Sequence, residues 1–172
     1  AKTSPAAIDW IDGPPLDRAV TPGVKGEVGQ ALNDAWSLYS ASLASGDEAI
    51  LSDRFSGPAL GKARAAVASA QKDGDKVLMA VLHQSVTPVF YHRDGTLMQV
   101  KTNALTVRFA LDAQGELALI RIDSDQSVSV LMNEAAGWRI YVHERTDAHP
   151  VPFVARGPKL QADPRAHLAG IN

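Results

Sequence analysis

Residues 127–144 read SVSVLMNEAAGWRIYVHE. Two runs alternate apolar and polar side chains, the period of a half-buried strand, and residues 133–137 form the loop between them. Read as a regular strand, the second run puts Trp138, Ile140 and Val142 on one face and Arg139, Tyr141 and His143 on the other. In the first run Val128, Val130 and Met132 oppose Ser127 and Ser129. The apolar sets are the expected core face, because an antiparallel sheet packs one side and solvates the other.

Working back along the chain, Leu105, Val107, Phe109 and Leu111 are apolar at odd positions, and Met98, Val100 and Ala104 at even ones. One regular face cannot hold both sets, so a bulge is expected near residues 103–105. Thr106 and Arg108 then join the polar outer face. Residues 117–122 read as a further strand, with Ser124-Asp125-Gln126 separating it from Val128. Arg93-Asp94-Gly95 suits a hairpin turn. Before it, residues 77–86 form an apolar run interrupted by Thr87-Pro88, which implies an edge or a bulge.

The preceding segment has helical spacing. Val28, Leu32, Ala35, Trp36, Tyr39 and Leu43 form one apolar stripe, and Gly46 suits its stop. Asp47 could cap a short second helix. Ser56-Gly57-Pro58 opens a third, lined by Leu60, Ala63, Val67 and Ala70. Helices followed by about five antiparallel strands define an α+β class. Proline-rich arms, 1–24 and 146–172, flank a body at 25–145. Trp10 and Ile11 are expected to anchor the first arm, and each arm is expected to pack on the body or on a neighbour.

With 172 residues, 45% apolar and 21% charged, the chain suits one folded domain. A net charge of −2 with dispersed cations gives no track for nucleic acid. The absence of cysteine excludes disulfides and thiolate chemistry. No apolar run is long enough to span a membrane. The start at Ala1, without methionine, leads to the expectation of an exported or multidomain origin.

The order of elements, with ALNDAWSLYSASLASGDEAIL, RFSGPALGKARAAV, LTVRFAL and AAGWRIYVHE, resembles the NTF2-like superfamily of cystatin-like α+β cones. The pattern is closest to the variant in plastid-division proteins and in bacterial membrane-anchored or exported proteins. The resemblance spans roughly residues 27–144. It implies helices on a strongly curved antiparallel sheet with a conical pocket, a fold that serves both enzymes and noncatalytic modules.

Tyr39, His83, Tyr91 and Asp123 are the residues that could line such a cone. Tyr39 falls on the helix stripe and reads as core. His83 interrupts an apolar strand and reads as a buried neutral histidine. Asp123 reads as a turn residue. No catalytic motif aligns, no histidine pair has metal-ligand spacing, and no nucleotide-binding or nucleophile-elbow motif is present. The expectation is therefore a noncatalytic, periplasmic or otherwise exported module without a cofactor or metal. It binds a protein partner or a second copy through Arg139, Tyr141, His143 and Arg108, within an envelope or polysaccharide-handling protein. The alternative is a small-molecule binder or a SnoaL/ketosteroid-isomerase-like enzyme, using Tyr39, His83 and Tyr91.

Overall fold

The computed structural model describes residues 7–72, 76–112 and 114–151. Helix α1, Pro22–Ser45, begins where Thr21 caps it by accepting the Val24 N–H at 3.3 Å. Pro22 occupies the first turn, where its missing N–H costs no hydrogen bond. The helix thus starts earlier than its apolar stripe suggested. Gly46 ends it at φ 77°, its N–H reaching the Ser42 carbonyl at 2.8 Å. What read as a second helix is a 3₁₀ segment, Ala49–Asp53, and α2 spans Gly57–Lys72.

Five strands follow the order β1-β2-β3-β4-β5: Ile8–Trp10, Lys76–Tyr91, Leu97–Leu111, Leu117–Glu134 and Gly137–Pro150. β1, which the first arm's composition did not announce, runs parallel to β2; the remaining pairs are antiparallel. The architecture is therefore α+β, as the element order indicated. Trp10 packs against the core, whereas Ile11 is exposed although its N–H bonds the Val86 carbonyl at 2.9 Å. The expected docking of the second arm beyond Val151 lies outside the described residues.

Bulges decide which side chains face the helices. The one expected in β3 near residues 103–105 lies across the ladder in β2, where Leu82 is the extra residue opposite Leu105 and Thr106. A second β2 irregularity falls between Pro88 and Phe90, in the stretch where proline marked one. β3 keeps its register there. Met98, Val100, Thr102, Ala104, Thr106 and Arg108 therefore share the inner face, and Leu105, Val107 and Phe109 face outward. The segment 123–129 is no break between strands. It is part of β4 and pairs on both sides.

In β5, Leu131 pairs Ile140 and Val130 pairs Val142, so Tyr141 is the extra residue. A one-residue slip exchanges faces. Trp138 and Ile140 point inward before it, and His143 and Arg145 after it. Ser127, Ser129 and Leu131 are the buried inner set of β4; Val128, Val130 and Met132 lie outside. The expected core face of these two strands is thus reversed over most of its length. His143, Arg108, Thr106, Ser127 and Ser129 are inner residues, not outer ones.

The core sits where α1 crosses the loop-bearing end of the sheet. Val28, Leu32 and Ala35 meet Val86, Met98, Val100, Leu131 and Ile140, all buried. Trp138 closes that layer, its indole N–H directed at the Glu27 carboxylate at 3.3 Å. Tyr91 belongs to the same layer, 6.3 Å from the Trp138 ring, with the Arg18 guanidinium 5.3 Å from its own ring centre.

Candidate functional site

The remainder of the inner face is not covered by large side chains. α2 presents Ala59, Ala63 and Ala66 to it, and these short residues leave a hollow of about 390 Å³ between helix and sheet. That volume lies in the range of small-ligand pockets. Its wall is aromatic. Trp36 stands edge-on to Tyr39 at 6.2 Å, to Phe55 at 6.2 Å and to His143 at 5.0 Å. Its floor is the polar part of the sheet: Thr102, Thr106, Arg108, Asp125, Ser127, His143 and Arg145. Of the large rings Trp36, Phe109 and Trp138, none fills the hollow. Phe109 is outside, Trp138 is in the packed layer, and only Trp36 borders the hollow.

Three cations and two carboxylates line this space. Lys62 pairs with Glu144 across its mouth, and Arg145 pairs with Asp125. Asp125 also accepts the Thr106 hydroxyl at 3.0 Å. The Lys62 ammonium, by hydrogen bond and charge, pulls the Glu144 carboxyl below its ordinary range. Both acids are thus engaged. Arg108 is different: its buried Nε has no hydrogen-bond partner, and it forms no ion pair among the described residues. Its cross-strand neighbours are Met79 and Arg121. Like charges opposite one another are unfavourable in a sheet. Arg121 resolves its own charge on Asp123, at 2.7 Å, leaving Arg108 uncompensated. An unpaired buried donor costs about 1–3 kcal/mol.

Two titrating rings, Tyr39 and His143, line the hollow. Burial raises the Tyr39 phenol above its usual value, against the opposing pull of Arg108 and Arg145, so the hydroxyl is a neutral donor at physiological pH. Burial lowers His143, only partly offset by Glu144, and favours the uncharged imidazole. Its Nδ1 lies 2.9 Å from the Ser129 hydroxyl.

Of the residues selected from the sequence, the hollow brings together Tyr39, Arg108 and His143. It contains neither His83 nor Tyr91. His83 is no buried histidine: it lies on the exposed side of β2, its Nε2 2.8 Å from the Asp9 carboxylate. The buried residue is its neighbour Gln84, which donates to Asn33 Oδ1 at 2.9 Å. Tyr141 and Arg139 also lie elsewhere. The Tyr141 ring covers Gly57 at the start of α2, and Arg139 bonds Glu134 at 3.0 Å beside the Arg54–Asp34 pair. Asp123 is no turn residue but buried in β4. Thr102, Asp125, Arg145 and Lys62 were not singled out. The signal for one of them, Asp125, was present in DSDQSVS, where polar residues hold every second position.

The sequence matches no protein-family model. No curated protein is significantly similar to it. Solved structures do share the fold. One is the intermembrane space region of the chloroplast protein ARC6, with a TM-score of 0.61 and 16% identity over 69% of this chain and 92% of that one. At that identity the likeness establishes the α+β architecture.

Proposed function

We propose that this chain is a noncatalytic, NTF2-like binding module that holds a segment of a protein partner in the hollow between α2 and the sheet, and that it works in an exported setting. One observation carries the reading: Arg108 presents a positive charge to an open, partly apolar space, while every carboxylate lining that space already has a cation. A site built for proton abstraction by an acid needs a carboxylate with a free oxygen aimed at substrate. Here Asp125 has both oxygens engaged, by Arg145 and Thr106, and Glu144 is held by Lys62 at the exposed rim. Of the four residues expected to contact a partner, Arg108 and His143 carry the proposal. Arg139 and Tyr141 hold the surrounding elements. The exported setting is supported by the shared fold with a region that lies between two membranes.

A second reading is favoured by His143. An uncharged imidazole, oriented by Ser129 and facing a pocket, is a general base in search of a substrate. It would make the chain a small-molecule enzyme.

Selection from a displayed library of end-blocked peptides distinguishes the two. The wild-type protein is expected to enrich a related set of peptides whose binding falls at least tenfold in Arg108→Met. Peptides that bind both proteins equally would place recognition outside the hollow and reject the proposal. Failure to enrich any peptide would turn the balance to the small-molecule reading.

A further inference from the structure

We infer that the hollow anchors its partner by one carboxylate, that of an aspartate or glutamate side chain next to an aromatic residue, with the carboxylate set against Arg108 and the aromatic ring along the Trp36–Tyr39 wall. The inference rests on the hollow being the recognition site and names what it recognises.

Charge decides the anchor. Lys62 and Arg145 are already neutralised by Glu144 and Asp125, so one unit of positive charge remains at Arg108. A monoanion cancels it. A dianion would leave excess negative charge facing Asp125 and Glu144. A guanidinium fork also matches the two oxygens of a carboxylate. Tyr39 adds a donor: its hydroxyl makes no hydrogen bond among the described residues, and it is close enough to Arg108 to feel its charge.

Geometry decides the stem. Along the inner face of β3, Arg108 lies six residues from Thr102, whose buried hydroxyl lacks a partner. At about 3.4 Å per residue their Cα atoms are roughly 20 Å apart. The space between is floored by Ala104, Met79 and Val81 beside Thr106 and Asp125, and walled by Tyr39, Trp36 and Phe55. An aromatic ring lying there meets ring edges and methyl groups. A bare anion would leave the aromatic wall unused, and a purely apolar segment would leave Arg108 uncompensated.

The test compares two end-blocked peptides, acetyl-Gly-Ser-Phe-Glu-Gly-Ser-amide and its Glu→Gln twin, alongside 4-phenylbutyrate and its amide. Each is titrated into the whole chain and into Arg108→Met by NMR. The acidic peptide is expected to bind at least tenfold tighter than its twin, with shifts at Thr102, Arg108 and His143. In Arg108→Met the ratio should fall to near one. A ratio near one in the wild type, an unchanged ratio in the variant, or no peptide binding overturns the inference. Phenylbutyrate binding tighter than the peptide overturns the side-chain source in favour of a free acid. The reading beneath fails separately: library peptides that lack an acid yet still depend on Arg108 leave the binding module standing and remove only its carboxylate anchor.

Discussion

One sheet face serves two purposes in this molecule. At the end nearest the β2–β3 and β4–β5 turns, its cross-strand rows are Tyr91–Met98–Leu131–Ile140, closed by α1 and by Trp138. Further along the same strands they become Val86–Thr102–Ser127–Arg145 and then Gln84–Ala104–Asp125–Ala148, roofed in part by the alanines of α2. The first half is packed with branched and aromatic side chains. The second is polar and open. The lesson concerns parity: Leu82 and Tyr141 each add a residue to one strand, and by doing so send His83 outward and His143 inward. The polar groups that line the hollow are thus gathered on the face that also builds the core, at a distance set by rows of the sheet.

The sharpest test of the contrast is deletion in the packed half. Ile140 is fully buried. Ile140→Ala is expected to cost about 2–5 kcal/mol, the usual range for emptying such a site. Urea denaturation followed by circular dichroism measures it. A loss below about 1 kcal/mol would mean this half is no better packed than the hollow.

Next in size is a substitution at the seam between α2 and β5. Gly57 has φ 50°, and a Cβ there would lie 2.2 Å from the Tyr141 ring. Gly57→Ala therefore combines left-handed strain with overlap and should cost about 1–3 kcal/mol. Adding Tyr141→Ala removes the overlap but not the strain. If the double variant is as unstable as the single one, Tyr141 is not what sets the position of α2 on the sheet.

Much of the fold was legible before the structure. The α1 stripe, the Gly46 stop, the turn at Gly95 and the α+β class follow from local spacing and backbone chemistry, which act over a few residues. The site was legible only in part. Tyr39, Arg108 and His143 were picked out, two of them for the wrong face. Parity along a strand is carried by every residue between the ends, so one unseen bulge at Tyr141 inverts the assignments after it until the next irregularity, at Thr146. The apolar outer rows misled for a related reason. Leu78, Phe109 and Ile120 lie side by side on the outer face, as do Ala80, Val107 and Ile122. Alternation in 105–111 is real, but its apolar set is not the one beneath the helices.

In the open half the expected effects on stability are smaller, and neutral or opposite in sign. Thr102→Val removes a buried hydroxyl without a partner, and Arg108→Met removes a buried unpaired nitrogen. Each should leave stability unchanged or raise it by up to about 1 kcal/mol, because no compensated hydrogen bond is lost. The same urea titration reads this. A loss above about 2 kcal/mol in either variant would show that the polar floor is structural, and would remove the distinction between the halves.

The smallest effect is a dependence on pH. Burial first, then Arg145 and Lys62, lower the proton affinity of His143 in the folded chain; Glu144 and Asp125 oppose them, while the Trp36 ring and Ser129 face it without charge. Below the ordinary histidine value the unfolded chain then binds more protons than the folded one. Stability must fall as pH falls through that value toward the lower folded one, and level off beneath it, by at most about 1.4 kcal/mol per pH unit for a single proton. His143→Gln keeps a hydrogen-bonding partner for Ser129 and cannot titrate. The difference in urea midpoint between wild type and this variant, followed from pH 7.5 to 5.5, is expected to shift steadily against the wild type. A constant difference would mean that the folded hollow accommodates a proton on His143 as easily as water does, and that the ring is not held uncharged there.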